Sequence, residues 1–153
     1  MCWLEQVDIL LDVAIAMGLG GLIGLERETA DKPAGLRTHM LVAATSALLV
    51  GLGNALVNEF RLTDGSSVDA DPMRLVQAIV MGIGFLGAGT IIQRGRSERI
   101  EGLTTGASLL FAAALGVCVA VDLFLLAVGS TALGLLVLLV LGRLEKWLEK
   151  RRQ

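Results

Sequence analysis

The 153-residue chain is short of charge, of histidine and of cysteine, and each shortage excludes a class of chemistry. Charged residues make up 18% of the sequence while 54% are hydrophobic, and mean hydropathy is +0.72. A soluble domain of this length has too small an interior for so much apolar sequence, so the surrounding medium is the lipid bilayer. A net charge of −2 and a pI near 5.4 leave no basic footprint for nucleic acid. Cys2 and Cys118 are far apart and form no C-x-x-C, which argues against a disulfide framework and a zinc site. Cys118 reads as a small apolar side chain inside a helix. With His39 as its one histidine the chain has no H-E-x-x-H, and no serine, histidine and acid spacing resembles a catalytic triad. It reads as non-enzymatic, without catalytic residues or an organic cofactor. The start "MCWLEQVD" is acidic, unlike a secretory signal peptide.

What the chain does have is five charge-poor runs, each long enough to cross a hydrocarbon layer of roughly 30 Å as a helix. They predict an all-α bundle of about five transmembrane helices, near 7–25, 39–57, 73–93, 103–121 and 123–142. The bundle domain would span 1–142, followed by a basic amphipathic tail over 143–153. In that tail Leu144, Trp147 and Leu148 make an apolar stripe suited to an interface. Eleven of the thirteen basic residues fall on one side, and only Arg61 and Arg74 on the other. By the positive-inside rule the N-terminus is outside and the C-terminus cytoplasmic.

The segment "GIGFLGAGT" contains G-x-G-x-x-G at Gly82, Gly84 and Gly87. That spacing marks a dinucleotide turn only between a strand and a helix. Here it lies inside an uncharged run, so the glycines are expected to pack helices. Gly82 and Gly89 share a helical stripe with Ala78, and Gly84, Gly87 and Ala88 lie opposite. Both faces are thereby flattened for close approach. The third helix is accordingly expected at the centre. Gly20 and Gly24, a G-x-x-x-G pair, make the first helix its partner or a homodimer contact. A homo-oligomer, with a dimer favoured, is the expected assembly.

Polar residues collect at the predicted cytoplasmic level. They are Glu26, Arg27 and Glu28 after the first span, Arg37, Thr38 and His39 before the second, Thr90 and Gln93 ending the third, and Thr104 and Thr105 opening the fourth. Together they form a candidate ring for a ligand or a partner, such as another membrane protein complex. Arg37 opposes the positive end of its own helix. It is therefore expected to find an anion in Glu26, Glu28, a lipid phosphate or a ligand. The threonines also suit helix caps.

The predicted outer face is acidic, with Glu5, Asp8, Glu59, Asp64, Asp69, Asp71 and Asp122. Asp71-Pro72 reads as a cap and first-turn proline, and Asp122 as a cap for the fifth helix. Asp8, Asp12 and Glu26 are the carboxylates a metal would use, and Mg2+ is the ion they suit. They lie at opposite ends of the bundle. No continuous hydrophilic path is visible through one protomer, so a cation pore would need an oligomer axis.

The motifs "GGLIGLERE", "AGLRTHMLV", "GIGFLGAGTII" and "GLTTGASLL" resemble the MgtC/SapB family over about 18–116. The resemblance implies a bacterial inner-membrane bundle of about five helices. It implies a role in growth at low Mg2+, in some pathogens in survival inside host cells, and in some members in regulating machines such as the F-type ATP synthase. Carried over by motif, the family positions are Gly24, Glu26, Arg27, Gly35, Arg37, Thr38, Gly84, Gly87, Gly89, Gly102 and Thr105. Many relatives add an ACT-like domain, which is not expected within this sequence. Where relatives commonly have two alanines and a tryptophan, this sequence has Gly106, Ala107 and Leu110. Asp122 stands in place of their glycine.

Overall fold

The computed structural model describes residues 3–64, 71–92 and 102–152. They form α1 (Trp3–Thr29), α2 (Leu36–Asp64), α3 (Pro72–Ile92), α4 (Leu103–Ala120) and α5 (Phe124–Arg152). Each has a span long and apolar enough to cross a bilayer. Helices α1, α2 and α5 run past the apolar segments, because nothing in their polar ends breaks a helix. The tail over 143–152 simply continues α5. Its stripe of Leu144, Trp147 and Leu148 lies outside the described side chains, and Gln93 and Asp69 lie outside the described residues.

The helix ends follow from local chemistry. Asp71 caps α3 as its Asp-Pro pair implies, Oδ1 accepting from the Met73 amide at 2.9 Å. Helix α1 closes with two reversed bonds, Lys32 N–H to Arg27 carbonyl and Asp31 N–H to Glu28 carbonyl, at 3.0 and 3.1 Å. Helix α4 closes the same way, from Leu123 to Cys118 and from Asp122 to Val119. This arrangement requires a left-handed residue just past the helix, a place usually held by glycine. Asp31 and Asp122 hold it here, at φ 55° and 60°. Asp122 therefore ends α4 and does not cap α5: the first bond of α5 runs from Ala127 to the Leu123 carbonyl.

Helix α4, and not α3, is the central one. It packs on all four others, while α1 and α2 lie side by side against it and complete the core. Helix α3 leans on α4 and α2, α5 leans on α4 and α1, and both are mostly exposed. Many of the fully buried positions are small, Ala16, Ala43, Ala47, Ala112 and Ala127 among them, and Ile23, Leu109 and Val119 fill the space between. In lipid no hydrophobic force separates helix from solvent, so close contact between small residues holds the bundle. The outside is apolar in turn, with Leu125 88% and Phe85 84% exposed.

The glycines divide accordingly. A Cβ on Gly20 would stand 2.6 Å from the His39 carbonyl oxygen, and one on Gly24 would stand 2.8 Å from Leu36 Cα. The G-x-x-x-G pair thus seats α1 on α2, and not on α3 as its sequence suggested. Gly87 faces Gly106 across the α3–α4 crossing, where an added Cβ would lie 3.2 Å from the Gly106 Cα. A Cβ on Gly82, Gly84 or Gly89 would meet no atom within 4 Å, so among the described residues they pack against no other helix. The reason is geometric. The stripe of Leu75, Ile79, Ile83 and Gly87 turns inward, and a helix at the rim has one seam.

Candidate functional site

The end of the bundle that carries the 30–35 loop gathers the polar residues. Succession alone brings the end of α1 to the start of α2, and the end of α3 to the start of α4. The Glu28 carboxylate fastens the first junction by accepting from the Leu36 amide at 2.8 Å. Gly102, left-handed at φ 96°, closes the second. A Cβ there would lie 3.0 Å from the Thr90 carbonyl oxygen.

Inside this frame His39 is wholly buried. Its Nδ1 meets the Gly35 carbonyl at 2.9 Å, and its Nε2 meets Ser108 Oγ at 2.9 Å. Ser108 Oγ also lies 2.9 Å from the Thr105 carbonyl. The imidazole therefore joins the first turn of α2 to the second turn of α4. It can do so because Gly20 and Gly24 let the α1 backbone lie directly beside it. Arg27 is 4% exposed and donates through Nε to Glu26. Among the described residues, Arg27 and Glu26 are the charged groups that act on the imidazole. A guanidinium buried to this degree is stable only when paired. Glu26 supplies the pair, and Thr29 Oγ1 bonds the Glu26 carbonyl at 2.9 Å.

The predicted ring thus separates into a buried part and a rim. Glu26, Arg27, His39 and Thr105 lie inside. Glu28, Arg37 and Thr104 are exposed, and Thr38 is half-buried. Thr90 spends its hydroxyl on its own helix, bonding the Gly87 carbonyl at 2.7 Å. Threonine caps do not start α4, whose N-cap is Gly102 with no side-chain bond. The anion expected for Arg37 is neither Glu26 nor Glu28. The first is bound to Arg27 and the second to a backbone amide, so among the described residues Arg37 has no ion pair. Ser108 was missed. Its signal was a hydroxyl three residues past Thr105 in an otherwise apolar helix.

Asp8 and Asp12 stand at the other end, where Asp122 and Asp8 are the charges acting on Asp12. Between Asp12 and Glu26 the helix rises roughly 21 Å, so these carboxylates cannot share one ion. Among the described residues no three histidine, cysteine or carboxylate side chains converge as metal ligands.

Comparison with known proteins bears on this arrangement. The pattern of the MgtC family matches residues 13–147. Protein MgtC of Brucella abortus (strain 2308) is 41% identical over 117 residues, 76% of this chain and 44% of that protein. Protein SapB of Bacillus subtilis is 38% identical over 116 residues, 76% of this chain and 49% of its own. YhiD of Escherichia coli K12, whose name proposes it as a magnesium transporter, is 35% identical over 140 residues, 90% of this chain and 62% of its own. The chain therefore spans about half to three fifths of the length of these relatives. No solved structure matches it. The matched span takes in α1 from Val13 and all of the polar end, and the chain belongs to the MgtC family of membrane proteins.

Proposed function

We propose that this chain is a non-enzymatic protein of the bacterial inner membrane that acts in Mg2+ or envelope homeostasis. It does so by binding a membrane partner or a ligand at its polar end, which faces the cytoplasm with the N-terminus outside. The observation that supports this most is the division of that end. A buried Glu26–Arg27 pair and His39 fix the helices, while Arg37, Glu28 and Thr104 remain exposed at the rim. An arginine in the first turn of a helix, opposed by the macrodipole and with no carboxylate partner among the described residues, is available to an outside anion.

The test is growth at low Mg2+ of cells that depend on this chain. Arg37→Gln should abolish support of growth while the amount of folded protein in the membrane stays unchanged. Full growth with that variant removes the rim from the function. Arg37 serves better than Glu26, whose loss would strand the Arg27 charge.

The second reading is a Mg2+ or other cation transporter working as an oligomer. The acidic residues at the other end, with Asp12 inside a membrane-spanning helix, favour it, as does the name YhiD carries. Mg2+ flux into proteoliposomes, abolished by Asp12→Asn, would establish it. No flux from inserted, folded protein leaves partner binding as the function.

A further inference from the structure

The bonds around His39 contain a counting problem that the proposed function does not use. A carbonyl oxygen only accepts, so the Gly35 bond at 2.9 Å requires a proton on Nδ1. In the neutral ring Nε2 is then bare and must accept from Ser108. Yet the single Ser108 hydroxyl proton also faces the Thr105 carbonyl at 2.9 Å. One proton thus has two acceptors. In the imidazolium both ring nitrogens donate: Nε2–H gives to Ser108 Oγ, and the hydroxyl proton turns to Thr105.

We propose that His39 and Ser108 form a proton-operated latch between α2 and α4. Taking up one proton at Nε2 reverses the bond between the helices. Ser108 changes from donor to acceptor, and its own proton moves from the imidazole to the Thr105 carbonyl. No covalent bond between heavy atoms changes, and the proton comes from solvent. Because a bond from an ionised donor is roughly twice as strong as a neutral one, the latch is tighter when the ring is charged. Among the described residues the groups facing the imidazole are few. From α1 come the Arg27 guanidinium and the Glu26 carboxylate. From α4 come only the Ser108 hydroxyl and the Thr105 carbonyl, and the loop gives the Gly35 carbonyl. The nearest charge on α2 itself is the exposed Arg37.

The device does not depend on what binds at the rim, and it can be read directly. His39 is the one histidine in the chain, so nitrogen NMR of the imidazole-labelled full chain in bilayers reports it alone. The neutral form should carry its proton on Nδ1, the opposite of the tautomer free histidine prefers in water. On acidification both nitrogens should become protonated while the fold persists. In Ser108→Ala the titration midpoint should move to lower pH by roughly half to one unit. Ser108→Thr should restore it. A neutral ring protonated on Nε2, a ring that never titrates within the range the fold survives, or an unmoved midpoint in Ser108→Ala would each overturn the latch. The wild-type tautomer decides the matter alone if Ser108→Ala does not fold.

Discussion

Replacing Gly24 by alanine inserts one methyl group into the seam between α1 and α2. Its carbon would lie 2.8 Å from Leu36 Cα, 2.9 Å from His39 Cβ and 3.0 Å from the Gly35 carbonyl oxygen. None of these is the free end of a flexible side chain, so the two backbones must part. Opening a seam by about 0.5–1 Å forfeits a quarter to a half of the dispersion along it. Overpacking of this kind costs about 1–3 kcal/mol, and alanine returns about 1 kcal/mol in helix propensity. The net expectation is a loss of up to about 2 kcal/mol relative to the parent, and of about 1–3 kcal/mol relative to an alanine that meets nothing. Gly82→Ala is the control, since its methyl group meets nothing within 4 Å. Only the propensity gain applies there, and stability should rise by up to about 1 kcal/mol. Reversible unfolding of purified protein in mixed micelles, followed by helicity, measures both. A Gly24→Ala protein as stable as the Gly82→Ala protein would refute the packing argument. A Gly82→Ala protein less stable than the parent would show that another chain covers α3.

Four further outcomes are expected. Asp122→Gly should stabilise the fold by about 0.5–1 kcal/mol in the same unfolding assay, since glycine occupies the left-handed position without steric cost. Glu28→Ala should cost about 1 kcal/mol, because it leaves the Leu36 amide uncapped, and should leave α1 helical by circular dichroism. Phe85→Lys, in the middle of α3, should lower membrane insertion by about 2.5–3.5 kcal/mol in a glycosylation-mapping assay; unchanged insertion would mean that this face meets water. Finally, a cysteine at position 31 in a chain with Cys2 and Cys118 replaced should react with an impermeant maleimide only from the cytoplasm, and one at position 122 only from outside.

The spans were legible because hydropathy depends on one segment at a time. Helix ends were nearly so: Asp71-Pro72 stated its cap outright, whereas Asp122 had two possible roles that only the backbone angle separates. The choice of central helix was not legible. Glycine shows that a close approach is permitted and says nothing about which neighbour takes it up. Gly82, Gly84 and Gly89 permit an approach that none of the described residues makes, while α4 is central through Ala112, Ala113 and Gly116. In the polar end, the alternation of spans brought Glu26, Arg27, His39 and Thr105 to one level of the bundle. It could not find that His39 bonds Ser108, a pair 69 residues apart whose meeting depends on how α2 and α4 cross.

That long-range bond bears on how the chain is built. Helices α1 and α2 leave the ribosome first, joined by the short 30–35 loop, and Gly20 and Gly24 allow them to close on one another as soon as both are in the bilayer. His39 then has the Gly35 carbonyl beside it, but the partner of its second nitrogen has not yet been made. Until α4 is synthesised, the hairpin holds a polar edge inside the membrane that only water or a lipid headgroup can satisfy. Arrival of α4 removes that edge and supplies the surface on which α3 and α5 settle. A chain stalled before residue 108 therefore leaves the second imidazole nitrogen without the partner it has in the finished bundle.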